Sequence, residues 1–186
     1  MGEKKEMVVL GIDPGTTIMG YGIIAYNNND VYMITMGFIE LQKIKEHYKR
    51  LQYIFQRTLT LIDQYSPHEL AIESPFYGNN VQSMLKLGRA QGTAISAALY
   101  RNLPIYEYAP RKIKQSITGN GNASKIQVAN MLKYILKIEE LPTRLDATDG
   151  LAVALCHYYQ KNKIFSNSKN NNWENFIKNN PNRIRF

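Results

Sequence analysis

Four carboxylates stand where simple chain geometry can bring them together. Asp13 closes the apolar run MVVLGID, Glu73 closes ELAIE, and Asp146 and Asp149 stand three residues apart in LDATDG. Residues three apart share one face of a helix, so the last two act as a pair. Acids gathered in one crevice raise each other's proton affinity unless cations neutralise them. Oxygen donors without a Cys/His cluster point to hard divalent ions and away from structural zinc. Two such ions about 4 Å apart form the arrangement that activates a water and stabilises a leaving oxygen in phosphodiester cleavage.

Each acid also has a plainer reading. Asp13, before Pro14 and Gly15, can shape an Asx turn. The stretch GIDPGTT can equally clasp a nucleotide's phosphates, as in actin-like ATPases and sugar kinases. Asp146 can serve as the capping partner of Thr143, favoured there by the helix dipole. Glu73 is harder to explain structurally, because a strand end in AIESPF would serve the core better with an apolar residue.

The elements that must position these acids are legible from spacing. MVVLGID is a short buried strand, and YGIIAY (21–26) with VYMITMGFIE (31–40), separated by NNND, reads as a hairpin beside it. From Ile44 to Tyr65, the apolar residues Tyr48, Leu51, Phe55, Leu59, Ile62 and Tyr65 mark one face of a helix that Ser66 and Pro67 end. ELAIE (69–73) is the fourth strand. A helix from about Val81 to Asn102 carries Gly88, Gly92 and Ser96 four apart, a stripe expected to pack on the sheet, with a dimer contact as the alternative. LPIYEYA (103–109) gives a fifth strand, and Pro110 opens a short basic helix. Ser124 and Gln127 form a capping box for a helix expected to turn Ile126, Ala129, Leu132, Ile135 and Leu136 inward. The last helix is expected from about Thr143, with Leu145, Leu151, Ala152 and Leu155 in the core. Strands followed by alternating helices and strands spell an α/β fold, a five-stranded mixed sheet flanked by helices on both faces. If the first and fourth strands are parallel neighbours, Asp13 and Glu73 meet at the end where open α/β sheets place their sites.

Bulk properties narrow the chemistry. With 186 residues, 44% of them hydrophobic, the chain can bury one core, which leaves no room for the second lobe of an actin-like kinase. A net charge of +8 favours a polyanionic partner such as nucleic acid. Basic protein and acidic metal-binding crevice together make a nuclease hypothesis. Cys156 is the only cysteine, so the chain forms no internal disulfide and a reducing cytoplasm fits. No apolar run approaches the roughly 20 residues of a membrane span, and the N-terminus lacks a signal-peptide pattern, so a soluble, unprocessed protein is expected. After Tyr159 the composition shifts: residues 160–186 hold nine asparagines and six Lys/Arg against one Glu, which reads as a flexible basic tail following a domain over 1–159.

The blocks GIDPGTTIMGYGII, LAIESPFYGNNVQSMLKLGRAQG, YEYAPRKIKQSITGNGNASKIQV and LDATDGLAVALCH resemble, in order and spacing, the RuvC family of Holliday-junction resolvases, over about residues 7 to 159. The resemblance implies an RNase H-like fold, a homodimer, and structure-specific nicking of two opposed strands at a four-way DNA junction. It implies two magnesium ions per active site, with manganese able to substitute, and products with 5′-phosphate and 3′-hydroxyl ends. By position Asp13, Glu73, Asp146 and Asp149 match the family's catalytic, metal-binding acids, and Lys114 and Lys125 match lysines near the scissile phosphate. Phe76 matches an aromatic placed against DNA bases, with Tyr77 a weaker candidate, and Arg89, Arg111 and Lys112 are candidate backbone contacts. A branch-migration motor of the RuvA and RuvB type is the partner the resemblance implies, with work in recombination and repair. Gly150 stands where many relatives carry alanine, a departure expected to cost only helix stability. The rival readings are another RNase H-like nuclease, such as one processing RNA, and a noncatalytic junction-binding protein.

Overall fold

The computed structural model describes residues 6–27, 30–75 and 80–170, and the side chains as far as residue 162. Five strands form one mixed sheet: β1 (Met7–Asp13), β2 (Ile18–Tyr26), β3 (Val31–Glu40), β4 (Glu69–Glu73) and β5 (Ile105–Tyr108), in the spatial order β3-β2-β1-β4-β5. β1, β2 and β3 form an antiparallel meander, while β4 pairs in parallel with β1 and β5 in parallel with β4. Among the described residues five helices connect and cover it: α1 (His47–Tyr65), α2 (Val81–Tyr100), α3 (Pro110–Thr118), α4 (Lys125–Leu136) and α5 (Asp146–Asn170). The α/β architecture with helices on both faces is the expected one.

Strand alternation divides the core into two layers. Leu10, Ile12, Leu70 and Ile72 point to one face and pack under α1 and α2, with Ile54, Leu61, Ala90, Ala94 and Ala98. Val9, Ile24 and Ala71 point to the other face and pack with Leu132, Leu151, Leu155 and their neighbours on α3, α4 and α5. Local signals place the helix ends as their chemistry requires. Ser66 takes a left-handed conformation and returns its N–H to the Ile62 carbonyl, stopping α1. Pro110 lies in the first turn of α3, and the Ser124–Gln127 capping box opens α4 with both reciprocal bonds made.

Some expected face residues are displaced from the core. In α1 the buried residues are Ile54, Thr58, Leu61 and Ile62, and Tyr48 is 78% exposed. In α4 Ala129, Leu132 and Leu136 are buried as expected and Ile135 packs beside them, but Val128 takes the inward place expected of Ile126, which is 63% exposed. Both helices carry apolar residues in more than one helical phase, so periodicity alone left the choice to the packing partner. The Gly88, Gly92 and Ser96 stripe does not meet the sheet: a Cβ at either glycine would have no neighbour within 4 Å, and Ser96 is exposed. The buried face of α2 is Ala90, Gln91, Ala94, Ala97 and Ala98. The final helix begins at Asp146, three residues later than expected, and passes through the composition change at Tyr159 to reach Asn170. Trp173, Phe176 and Ile177 lie outside the described residues. Among the described residues no helix is long and apolar enough to cross a membrane.

Candidate active site

Asp13 is the last residue of β1 and Glu73 the last of β4. Parallel pairing sets Ile12 opposite Ile72, so the two C-terminal ends lie side by side, and alternation turns both acids to the α5 layer. Asp146 and Asp149 occupy the first turn of α5, where the helix dipole favours negative charge. The helix reaches them by lying directly on sheet backbone. A Cβ at Gly11 would stand 2.2 Å from the Gly150 carbonyl oxygen and 2.5 Å from the Ala154 nitrogen; one at Gly150 would stand 2.4 Å from the Tyr21 Cα. Gly150 is therefore a close-packing requirement in this chain, beyond the helix propensity it gives up.

Asp13, Glu73 and Asp149 line one cleft of about 380 Å³ with Lys114, Lys125, Pro110, Ile113, Val128 and Ala152. Asp146 stands at its edge, tied through Lys125: the Lys125 Nζ donates to Asp149 Oδ2 at 2.6 Å and lies 3.6 Å from Asp146 Oδ1. A larger concavity of about 710 Å³ near the C-terminal end of α4, lined by Asn130, Lys133, Tyr134, Ile135, Lys137 and Ile138, holds no acid.

The electrostatics show anions short of countercharge. Burial, then the Asp149 carboxylate, pushes Asp13 up to about 7, with Lys125 opposing. Burial, then Asp13 and Asp149, pushes Glu73 up to about 8, against Lys125 and Lys114. Lys125 is raised despite its burial, because Asp149 accepts its hydrogen bond and Asp149, Asp146 and Asp13 surround it with negative charge. Among the described residues no three acids, histidines or cysteines converge on one point as they stand, and the Lys125 ammonium takes a cation's place between Asp146 and Asp149. The donor chemistry nonetheless suits a hard divalent cation: all-carboxylate oxygen, desolvated, and held in a proton-retaining state that added positive charge would relieve.

The remaining candidates separate. Lys114 and Lys125 are in the cleft. Arg111 and Lys112 are exposed on α3 and do not line it, and Arg89 is exposed on α2, across the sheet. Phe76 and Tyr77 lie outside the described residues. Two supporting residues gave no signal in the sequence, because each bonds main chain of a distant element. Gln91 of α2 donates to the Glu73 carbonyl at 3.3 Å and to Glu107 at 2.9 Å. Arg50 of α1 donates to the Thr16 carbonyl at 3.0 Å and the Ile44 carbonyl at 2.6 Å, bracing the turn that follows Asp13.

A family model described as crossover junction endodeoxyribonuclease RuvC matches residues 9–157. The chain belongs to the RuvC family. The crossover junction endodeoxyribonuclease RuvC of Christiangramia forsetii is 57% identical over 182 residues, covering 98% of this chain and 95% of that protein. Among solved structures, Thermus thermophilus RuvC in complex with a Holliday junction substrate superposes with a TM-score of 0.78 at 31% identity, covering 84% of this chain and 96% of that one. The yeast mitochondrial Holliday junction resolvase shares the fold at 18% identity, with a TM-score of 0.58 and coverage of 84% and 83%. The RNase H-like fold of RuvC is thus the fold described above.

Proposed function

We propose that this RuvC-family protein resolves four-way (Holliday) DNA junctions by paired, metal-dependent nicks, and so acts in recombination and repair. The observation that carries the reading is the cleft itself: Asp13, Glu73 and Asp149 facing Lys114 and Lys125 in a chain alike over nearly its whole length to a crossover junction endodeoxyribonuclease.

In this reading Asp13, Glu73, Asp146 and Asp149 would hold magnesium, two ions per site with manganese able to substitute, and the bound metal would supply the charge that activates water and stabilises the leaving oxygen. Lys114 and Lys125 contact the phosphate. Lys125 exchanges its Asp149 partner for a phosphate oxygen and so brings positive charge to the reacting group as negative charge develops. In-line attack leaves a 5′-phosphate and a 3′-hydroxyl. Arg89, Arg111 and Lys112 hold backbone phosphates of the duplex arms, while Phe76 and Tyr77 stack on bases at the crossover.

Two nicks at a near-twofold junction require two clefts, which a homodimer supplies. The outer face of α2 supports one: Val81, Leu85 and Leu99 are 64%, 52% and 58% exposed, and they flank the open Gly88 and Gly92. Small residues between apolar ones allow a second helix to approach closely. Residues 1–159 form the nuclease domain in this reading, and the basic stretch beyond it adds nonspecific DNA affinity. A motor of the RuvA and RuvB type delivers the junction, in the cytoplasm.

The test is incubation of end-labelled four-way junction and matching linear duplex with magnesium or with EDTA, using the natural chain and Asp13→Asn. Symmetrical magnesium-dependent nicks on the junction alone, abolished in Asp13→Asn while binding persists, are expected. Junction binding without nicks would establish the noncatalytic reading, and equal cutting of duplex a different RNase H-like nuclease.

A further inference from the structure

A second polar constellation lies in the α5 layer, away from the cleft. His157 is 0% exposed and Glu69 is 6% exposed, and their Nε2 and Oε2 atoms are 2.7 Å apart. The other ring nitrogen, Nδ1, lies 2.7 Å from the Tyr108 hydroxyl. The Lys161 ammonium donates to the second oxygen of Glu69, and the Tyr106 ring lies 4.6 Å from the imidazole. None of these side chains lines the acid cleft.

The donors and acceptors have one consistent assignment. Burial pulls His157 below its usual range, so the ring is neutral. Burial works to raise Glu69, but hydrogen bonds from Lys161 and His157 overcome it and hold the carboxylate ionised. Burial raises the Tyr108 phenol, which keeps its proton. His157 therefore donates from Nε2 to Glu69 and accepts at Nδ1 from Tyr108.

Placement gives this chain of bonds a consequence. Glu69 and Glu73 are four residues apart on the same face of β4, a run of about 13 Å. Asp149 and His157 are eight residues apart on α5, a run of about 12 Å. The helix thus runs antiparallel to β4, with Asp149 and Glu73 in the cleft at one end and His157 on Glu69 at the other. The two spans match. The rest of the α5 contact with the sheet is apolar side chain and close-packed glycine backbone, which sets how near the helix lies and gives little direction along its axis. A hydrogen bond fails within an ångström.

We infer that His157 is a positioning residue: through Glu69 and Tyr108 it fixes the axial register of α5 on the sheet, and thereby the gap between Asp149 and Glu73. The inference rests on the acid cleft being the metal-dependent nuclease site. His157 is fully buried and does not line the cleft. Tyr108 strengthens the constraint, because β5 places it directly beside Glu73 in the strand register.

The test must separate register from bulk stability. Replacing a buried pair by apolar residues of similar size commonly preserves stability while removing its directionality. In Glu69→Leu/His157→Leu we expect a melting temperature near that of the natural protein and unchanged junction binding in EDTA. Calorimetric affinity for Mn2+ should weaken about tenfold, and the magnesium concentration for half-maximal cleavage should rise by a similar factor. Tyr108→Phe removes one oxygen and should move the same two readouts in the same direction by about threefold. It carries the test if the double variant does not fold. Natural metal affinity and magnesium requirement in a folded variant would overturn the inference. Failure of the underlying site reading looks different: the natural protein would not cut, or Asp13→Asn would still cut, whatever the His157 variants did.

Discussion

Lys125 of α4 and Asp149 of α5 are joined by a 2.6 Å hydrogen bond across the mouth of the acid cleft. The two residues come from different helices, 24 positions apart, and the bond puts an ammonium group among the cleft's carboxylates, beside the Lys114 charge that also opposes Glu73. In the proposed chemistry the same lysine serves as the countercharge before DNA and metal arrive and as a phosphate contact afterwards.

That double role makes Lys125→Met informative. Removing the ammonium frees Asp149 and Asp146, so calorimetric affinity of the DNA-free protein for Mn2+ should increase a few-fold. Cleavage at saturating magnesium should nevertheless fall by about 10²-fold, because the phosphate loses a preorganised cation. Weaker metal binding together with undiminished cleavage would show that Lys125 does neither job.

The raised acids give a pH dependence of definite sign. Asp13 titrates near 7 and Glu73 near 8 in the fold, and both titrate near ordinary carboxylate values when unfolded. Between about pH 4 and pH 8 the native state therefore binds more protons than the unfolded one, and the stability of the metal-free protein declines as pH rises through that window. Asp13→Asn removes part of this decline. It should be more stable than the natural chain by on the order of 2 kcal/mol at pH 8 and nearly equal to it at pH 4, measured by urea unfolding in EDTA. Magnesium should flatten the slope in the natural chain only.

Close packing of α5 on β1 predicts intolerance at Gly11. A methyl group there would overlap the Gly150 carbonyl and the Ala154 nitrogen, which are backbone atoms that cannot rotate away. Gly11→Ala should cost about 3 kcal/mol or displace the helix, with cleavage lost in either case. Thermal unfolding and the junction assay read the two effects separately. A stable, active Gly11→Ala would show that the helix has room to lift.

The open stripe on α2 predicts where the proposed dimer is vulnerable. Gly92→Glu places a charge on the exposed face while leaving the buried Gln91 and Ala94 in place. If the proposed dimer forms through this face, sedimentation should show the natural chain as dimer and Gly92→Glu as monomer at the same concentration, and the melting temperature of the monomer should change little. Paired nicking should give way to slow single nicks. An unshifted dimer would place the interface elsewhere.

What the sequence settled by itself was local. Apolar runs ending in Asp13 and Glu73 made two strands whose ends carry acids, Ser124 and Gln127 made a helix start, and the pair Asp146 and Asp149 shared a helical turn. Each depends on residues near in the chain, so pattern and capping chemistry suffice. The cleft needed more, because parallel pairing of β1 with β4 and the seating of α5 on glycine backbone are contacts between distant segments. Tertiary packing also chose which apolar phase of α1 and α4 to bury, leaving Tyr48 and Ile126 outside, and it turned the glycine stripe of α2 away from the sheet. His157, Glu69, Tyr108 and Lys161 look ordinary in the sequence, and Lys161 lies past the point where composition turns tail-like. Only the fold brings them together: a buried charge is tolerated where partners from other elements satisfy it, and those partners are set by three-dimensional register.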